Sequence, residues 1–141
     1  MTENSVPAPH DDTWVDLLRG YVAMAVEGLN EGGLRVERSW LDPRDPRDAT
    51  IIFNHPASGV SAEELALVWD EVTGWRRGVF QGGQQGIRTV LSEPAYLGGG
   101  VLPEASELVG RVVAGASEPQ RQYRSVASLH DGLDDALLAR G

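Results

Sequence analysis

The sequence contains no cysteine and no lysine. The first absence excludes disulfides, thiolate metal sites and thiol nucleophiles. The second removes the phosphate-gripping residue of a P-loop. Long apolar runs are also missing, and nothing approaches the roughly 20 apolar residues of a membrane-spanning helix. The stretch from Met1 to His10 is polar and carries two prolines, without the apolar segment of a signal peptide. A cytoplasmic protein with no membrane partner is the expectation. Positive charge is scarce as well: 12 basic against 21 acidic residues leave a net charge of −9. Such a balance disfavours nucleic acid, whose affinity comes largely from neutralised phosphates. The twelve cations are all arginine. GC-rich coding accounts for that most simply; the sharper alternative is a surface built for bidentate contacts with carboxylate or phosphate.

What is present suits one domain. A chain of 141 residues buries about two thirds of the surface exposed when unfolded. Its 17 glycines and 8 prolines promise many turns and short strands. Residues 1–12 read as a tail. Thr13 and Asp16 then resemble a capping box ahead of Trp14, Leu17, Leu18, Tyr21, Val22, Ala25, Val26 and Leu29, apolar residues at helical spacing. Asn30 to Gly33 ends that helix. The small residues Gly20, Ala23 and Gly28 suggest that it lies close against a sheet.

Strand signals follow. Leu34, Val36 and Trp40 alternate with Arg35, Glu37 and Ser39, the period of a half-buried strand. Asp42 to Asp48, with two prolines, is a turn. Thr50 to Phe53 is β-branched and compact, closed by Asn54, His55 and Pro56. Residues 61–72 fit either a helix capped by Ser61 and Glu64 or a strand in which Leu65, Leu67 and Trp69 alternate. The preferred reading is a hairpin with Val72, Thr73 and a left-handed Gly74 in its loop, which would pair Trp69 with Arg77 and Glu71 with Trp75. Gln81 to Gly86 is a turn into a strand from Ile87 to Leu91. Pro103 opens a helix whose apolar face is Leu108, Val109, Val112 and Val113. Gly115 to Arg124 reads as a linker, and a last amphipathic helix from about Ser125 carries Val126, Leu129, Leu133 and Leu137. The predicted architecture is α+β: an antiparallel meander of about five strands on an N-terminal helix, then two C-terminal helices. Its expected boundaries are a domain over 13–115 and a linker with amphipathic helix over 116–141.

Four segments carry a family resemblance: Tyr21 to Leu29, Asp45 to Ile51, Leu67 to Arg76 and Tyr96 to Pro103. Together they resemble an actinobacterial family of small domains of unknown function, over roughly residues 14–114. The most specific piece is Trp69-Asp70-Glu71 followed by Gly74-Trp75. The resemblance implies a small cytoplasmic α+β domain of bacterial origin and carries no activity and no site residues.

Catalytic groupings do not emerge. His10, His55 and His130 lack ligand spacing or a nucleophile–base–carboxylate arrangement. Asp42, Asp45 and Asp48 invite a cation, but the prolines and Arg44 and Arg47 between them argue for a solvated turn with local ion pairs. Neither Gly82 to Gly86 nor Gly98 to Gly100 matches a phosphate cradle, and Glu104 and Glu107 would repel an anion at the following helix. No cofactor or metal is expected. The remaining candidates form an aromatic and arginine set: Trp40, Trp69, Trp75, Arg76, Arg77 and Arg88, with Phe80 nearby. Two readings compete for it. The tryptophans pack in the core and Arg76 pairs with Asp70, or the set forms an exposed patch of hot-spot composition. The functional expectation is a non-catalytic interaction module with a protein partner or self-association, acting through the Trp/Arg hairpin or the C-terminal helix. Binding of a small anionic metabolite is the alternative.

Overall fold

The computed structural model describes residues 6–42, 47–54, 65–84, 87–123 and 132–140. The elements run α1 (Thr13–Asp16), α2 (Leu18–Glu31), β1 (Arg35–Asp42), β2 (Asp48–Asn54), β3 (Leu65–Asp70), β4 (Gly74–Gln84), β5 (Ile87–Tyr96), α3 (Ala105–Ala114) and α4 (Leu133–Arg140). The five strands form one antiparallel open sheet in the order β1-β2-β3-β4-β5. The α+β meander read from the sequence is therefore the fold. His55, His130, Arg44, Asp45, the Ser61 and Glu64 cap, Val126 and Leu129 lie outside the described residues.

The first helix forms because its apolar residues fall on one stripe; Leu18, Tyr21, Val22, Ala25, Val26 and Leu29 are all buried. It is interrupted at Leu17, which keeps helical angles of −56° and −27°. At its start Asp16 accepts from the His10 backbone and from Arg19. The Arg19 contact, then the His10 backbone donor, hold this carboxyl below its ordinary range. At its end Gly33 is left-handed (φ 88°). Gly33 N–H reaches Asn30 O and Leu34 N–H reaches Leu29 O, closing a Schellman motif over two buried leucines. Gly28 and Gly32 meet α3 rather than the sheet. A Cβ on Gly28 would sit 2.9 Å from Ala105 Cβ, and one on Gly32 2.6 Å from Val109 Cγ1. The close approach expected of this helix is thus to another helix.

Side chains of Ala49, Ile51, Phe53, Leu67, Trp69 and Trp75 join α2, α3 and α4 in a single core. The phase of β1 departs from simple alternation because a bulge lies between Val36 and Arg38. Beyond it, Ser39 and Leu41 turn to the helices and Arg38 and Trp40 to the opposite face. On that opposite face Thr50, Ile52, Ala66 and Val68 are also buried. Among the described residues their cover is the sheet itself, curling back: Thr50 Oγ1 on β2 lies 2.7 Å from Thr89 Oγ1 on β5, and Trp40 on β1 meets Phe80 on β4. The curl follows three register shifts between β4 and β5, at Arg77/Val79, Phe80/Gly82 and Gly82/Gln84. Glycine supplies the room, since a Cβ on Gly78 or Gly83 would strike Leu91 or Thr89. The glycines expected to end β4 at a turn instead let it bend and continue to Gln84, while β5 runs on to Tyr96.

Past the sheet, Gly98, Gly99 and Gly100 all have positive φ (76°, 90° and 86°). Pro103 precedes α3 rather than opening it; its carbonyl accepts from Tyr21. Val113, assigned to the apolar face of α3, is 55% exposed, leaving Leu108 and Val112 as the buried pair. The segment after α3 is laid against the sheet, with Glu118 N–H on Tyr96 O and Tyr123 N–H on Val72 O.

Candidate functional site

The β3–β4 hairpin forms as expected, but in a different register. Asp70 Oδ1 accepts from Val72 and Thr73 N–H, and its Oδ2 takes the Thr73 hydroxyl. This aspartate caps a loop of Glu71, Val72 and Thr73, and Gly74 (φ 77°) begins β4 opposite it. Trp69 therefore pairs with Trp75 and Leu67 with Arg77, in place of the expected Trp69 with Arg77. The partner shift is two residues, so every side chain keeps its face.

Trp69 and Trp75 point toward α2 and are 0% and 1% exposed. Their rings flank Tyr21 at 6.2 Å each. Trp69 Nε1 donates to Val101 O, and Trp75 Nε1 to the Tyr21 hydroxyl, which itself donates to Pro103 O. These polar tips fasten the chain after β5 over the core. Arg76 pairs with Asp70 at 2.9 Å. Arg77 emerges on the helix side and donates to Val112 O in the last turn of α3, where a cation complements the helix dipole. Arg88 lies on β5; its side chain is outside the described residues.

The aromatic and arginine cluster that does assemble uses Trp40 with two other residues. Arg38 stands 6.0 Å from the Trp40 ring and 5.6 Å from Phe80, whose rings meet edge-on at 6.1 Å. Arg38 was not among the sequence candidates. The available signal was its two-residue spacing from Trp40, which places both on one strand face. Trp40 Nε1 is buried and finds no hydrogen-bond partner among the described residues. Next to this cluster β5 forms one margin of the sheet. Among the described residues its outer edge meets another segment at Tyr96, bridged by Glu118. Ile87 and Val90 on β5 are 51% and 58% exposed.

The acidic turn departs furthest from expectation. Asp42 and Asp48 are 1% and 3% exposed, and stand in register with Asp70 across β1, β2 and β3. Arg47 is 1% exposed and belongs to the helix side, so Asp42, Arg47 and Asp48 are not solvated as expected. Its Nε and Nη2 donate to Glu71 Oε2 and Oε1 at 3.2 and 3.0 Å, and Nη2 also reaches Asp134 Oδ1 on α4 at 2.8 Å. Its backbone N–H donates to Glu71 Oε2, and Glu71 N–H to Arg47 O. Among the described residues no group of three His, Cys, Asp or Glu side chains is arranged to hold a metal ion. No described helix is long and apolar enough to cross a membrane.

No curated protein and no solved structure matches the chain. A family model does match, over residues 21–115, from α2 through the sheet to the end of α3. The chain belongs to this family, DUF6292, described as a family of unknown function.

Proposed function

We propose that this chain is a non-catalytic interaction module of a bacterial cytoplasm, binding a protein partner along β5. The observation supporting this is the exposure of Ile87 and Val90 on a marginal strand whose neighbouring face carries Arg38, Trp40 and Phe80. A free strand edge offers backbone donors and acceptors to an extended segment, and flanking apolar and arginine side chains select its sequence. Near Tyr96 the edge is less available, because Glu118 bridges it and Pro94 lacks a donor. The receiving stretch is therefore 87–92. The anionic-metabolite alternative draws less support, since Arg76 and Arg77 are engaged by Asp70 and the Val112 carbonyl.

Native mass spectrometry on untagged protein from its own source tests this reading. The expected result is a retained mass of protein size that disappears in the double variant Ile87→Asp/Val90→Asp, whose thermal unfolding stays cooperative. A retained small-molecule mass that survives the double variant would replace the proposal with the metabolite reading.

A further inference from the structure

Two leucines seat the C-terminal helix in the core. α4 is eight residues long, and only Leu133 (7% exposed) and Leu137 (0%) enter the core; Leu138 faces solvent at 62%. One polar tie to the rest of the fold is Asp134 on Arg47. A helix this short has little stability in water by itself. Undocked, it would unfold.

The surface beneath it is built differently. α2 supplies the wall on which α4 packs, and Arg47 supplies a buried cation at its margin. Arg47 does not depend on α4 for neutrality, because Glu71 binds it in bidentate fashion and from the backbone. Removal of Asp134 leaves Nη2 still bonded to Glu71, so no buried charge is orphaned. The matched family region, residues 21–115, contains nearly all of α2 together with Arg47 and Glu71, and α4 lies outside it. The receiving surface thus lies largely within the matched region and its occupant outside it.

We infer that this surface is a helix-docking groove and that α4 is its built-in occupant. It accepts a partner's amphipathic acidic helix, with two aliphatic residues four positions apart and a carboxylate next to the first, as Leu133, Asp134 and Leu137 present them. Competition from α4 is strong because the tether holds it at high effective concentration. The partner helix therefore binds well only when α4 is loosened. This groove is separate from the β5 edge, and either can fail without the other.

The probe is a fluorescein-labelled synthetic peptide with the sequence of residues 132–140, titrated against the full chain. The expected result is weak binding to the natural chain and at least about tenfold tighter binding to Leu137→Asp, whose own helix no longer competes. A peptide with lysine in place of the residue corresponding to Asp134 should lose that gain, and Ile87→Asp in the chain should leave it unchanged. Equal binding to both chains, or none to either, overturns the inference. So does a doubled mass for Leu137→Asp with added peptide bound to neither form, which indicates exchange between copies. Should Leu137→Asp fail to fold, native-state hydrogen exchange on the natural chain decides. The α4 amides, Leu137 included, should exchange through a local opening far more readily than those of Ile51 and Leu67. Equal protection would make α4 an integral part of the core.

Discussion

Burying a guanidinium is costly unless its charge and its donors are both met. Arg47 satisfies this through Glu71, as fully buried as itself, and through Asp134, which is 40% exposed. The two carboxylates should therefore differ sharply in weight. Glu71→Ala removes the buried carboxylate and leaves the arginine to the partly solvated Asp134, and is expected to lower unfolding free energy by about 3–5 kcal/mol. Asp134→Asn keeps an acceptor at a partly solvated position and should cost less than about 1 kcal/mol. Urea denaturation of both variants checks the contrast; equal losses would show that Asp134 carries the burial of Arg47. Little of this was legible in the sequence. The segment from Asp42 to Asp48 has the composition of an exposed turn, and nothing local reveals that Glu71, at the end of a different strand, folds beside it. The burial of Trp69 was more accessible, since it shares its strand parity with Leu65 and Leu67. The pairing of Trp69 with Arg77 was misplaced because it depended on a loop defined by Asp70, whose side chain takes the Val72 and Thr73 backbone donors and shifts the register.

At the level of elements, α2 and α3 touch through small residues, and their glycines do opposite things. Gly28 faces Ala105 so closely that an added methyl group must displace one helix. Gly110, within α3, has open space around its missing side chain. Alanine gains about 1 kcal/mol over glycine in a helix interior through lower unfolded-state entropy. Gly110→Ala should therefore raise Tm, by about 3 °C for a domain of this size. Gly28→Ala should lower it, because overpacking costs about 1–3 kcal/mol and exceeds the propensity gain. Differential scanning calorimetry of the two variants would check the opposite signs. Helix α2 was legible because six buried residues obey one period. The bulge in β1 was not, since an extra residue in a strand leaves no mark beyond a break in alternation, and Val36, Trp40 and Leu41 permit more than one phase.

For the molecule as a whole, the decisive property is curvature. β2 and β3 are buried on both faces although the described helices cover one, and among the described residues the second cover comes from the far end of the β4–β5 hairpin. The hydroxyl pair Thr50 and Thr89 joins strands that are not neighbours in the sheet. Thr50→Val or Thr89→Val alone leaves one buried hydroxyl without its partner, at about 1–3 kcal/mol, whereas replacing both should come close to neutral. A double-mutant cycle by denaturation measures this coupling; additive losses would mean that the pair does not help hold the curl. The meander of about five strands was legible in the run of strand signals, while the order of the strands was fixed only by the structure. Curvature was not legible, since it accumulates from register shifts and glycines that are individually unremarkable.

The run from Gly98 to Gly100 carries a consequence in handedness. Its three successive residues hold φ of 76°, 90° and 86°, in the half of conformational space that belongs to mirror-image amino acids. Natural side chains resist this geometry for a stereochemical reason, whatever the space around them. Gly100 shows it most clearly, because its missing side chain points into open space. There D-alanine would suit the backbone where L-alanine would strain it. Genetic coding offers only one residue without a hand, so this bend restricts the sequence more tightly than the buried core does, where one apolar side chain can often stand in for another.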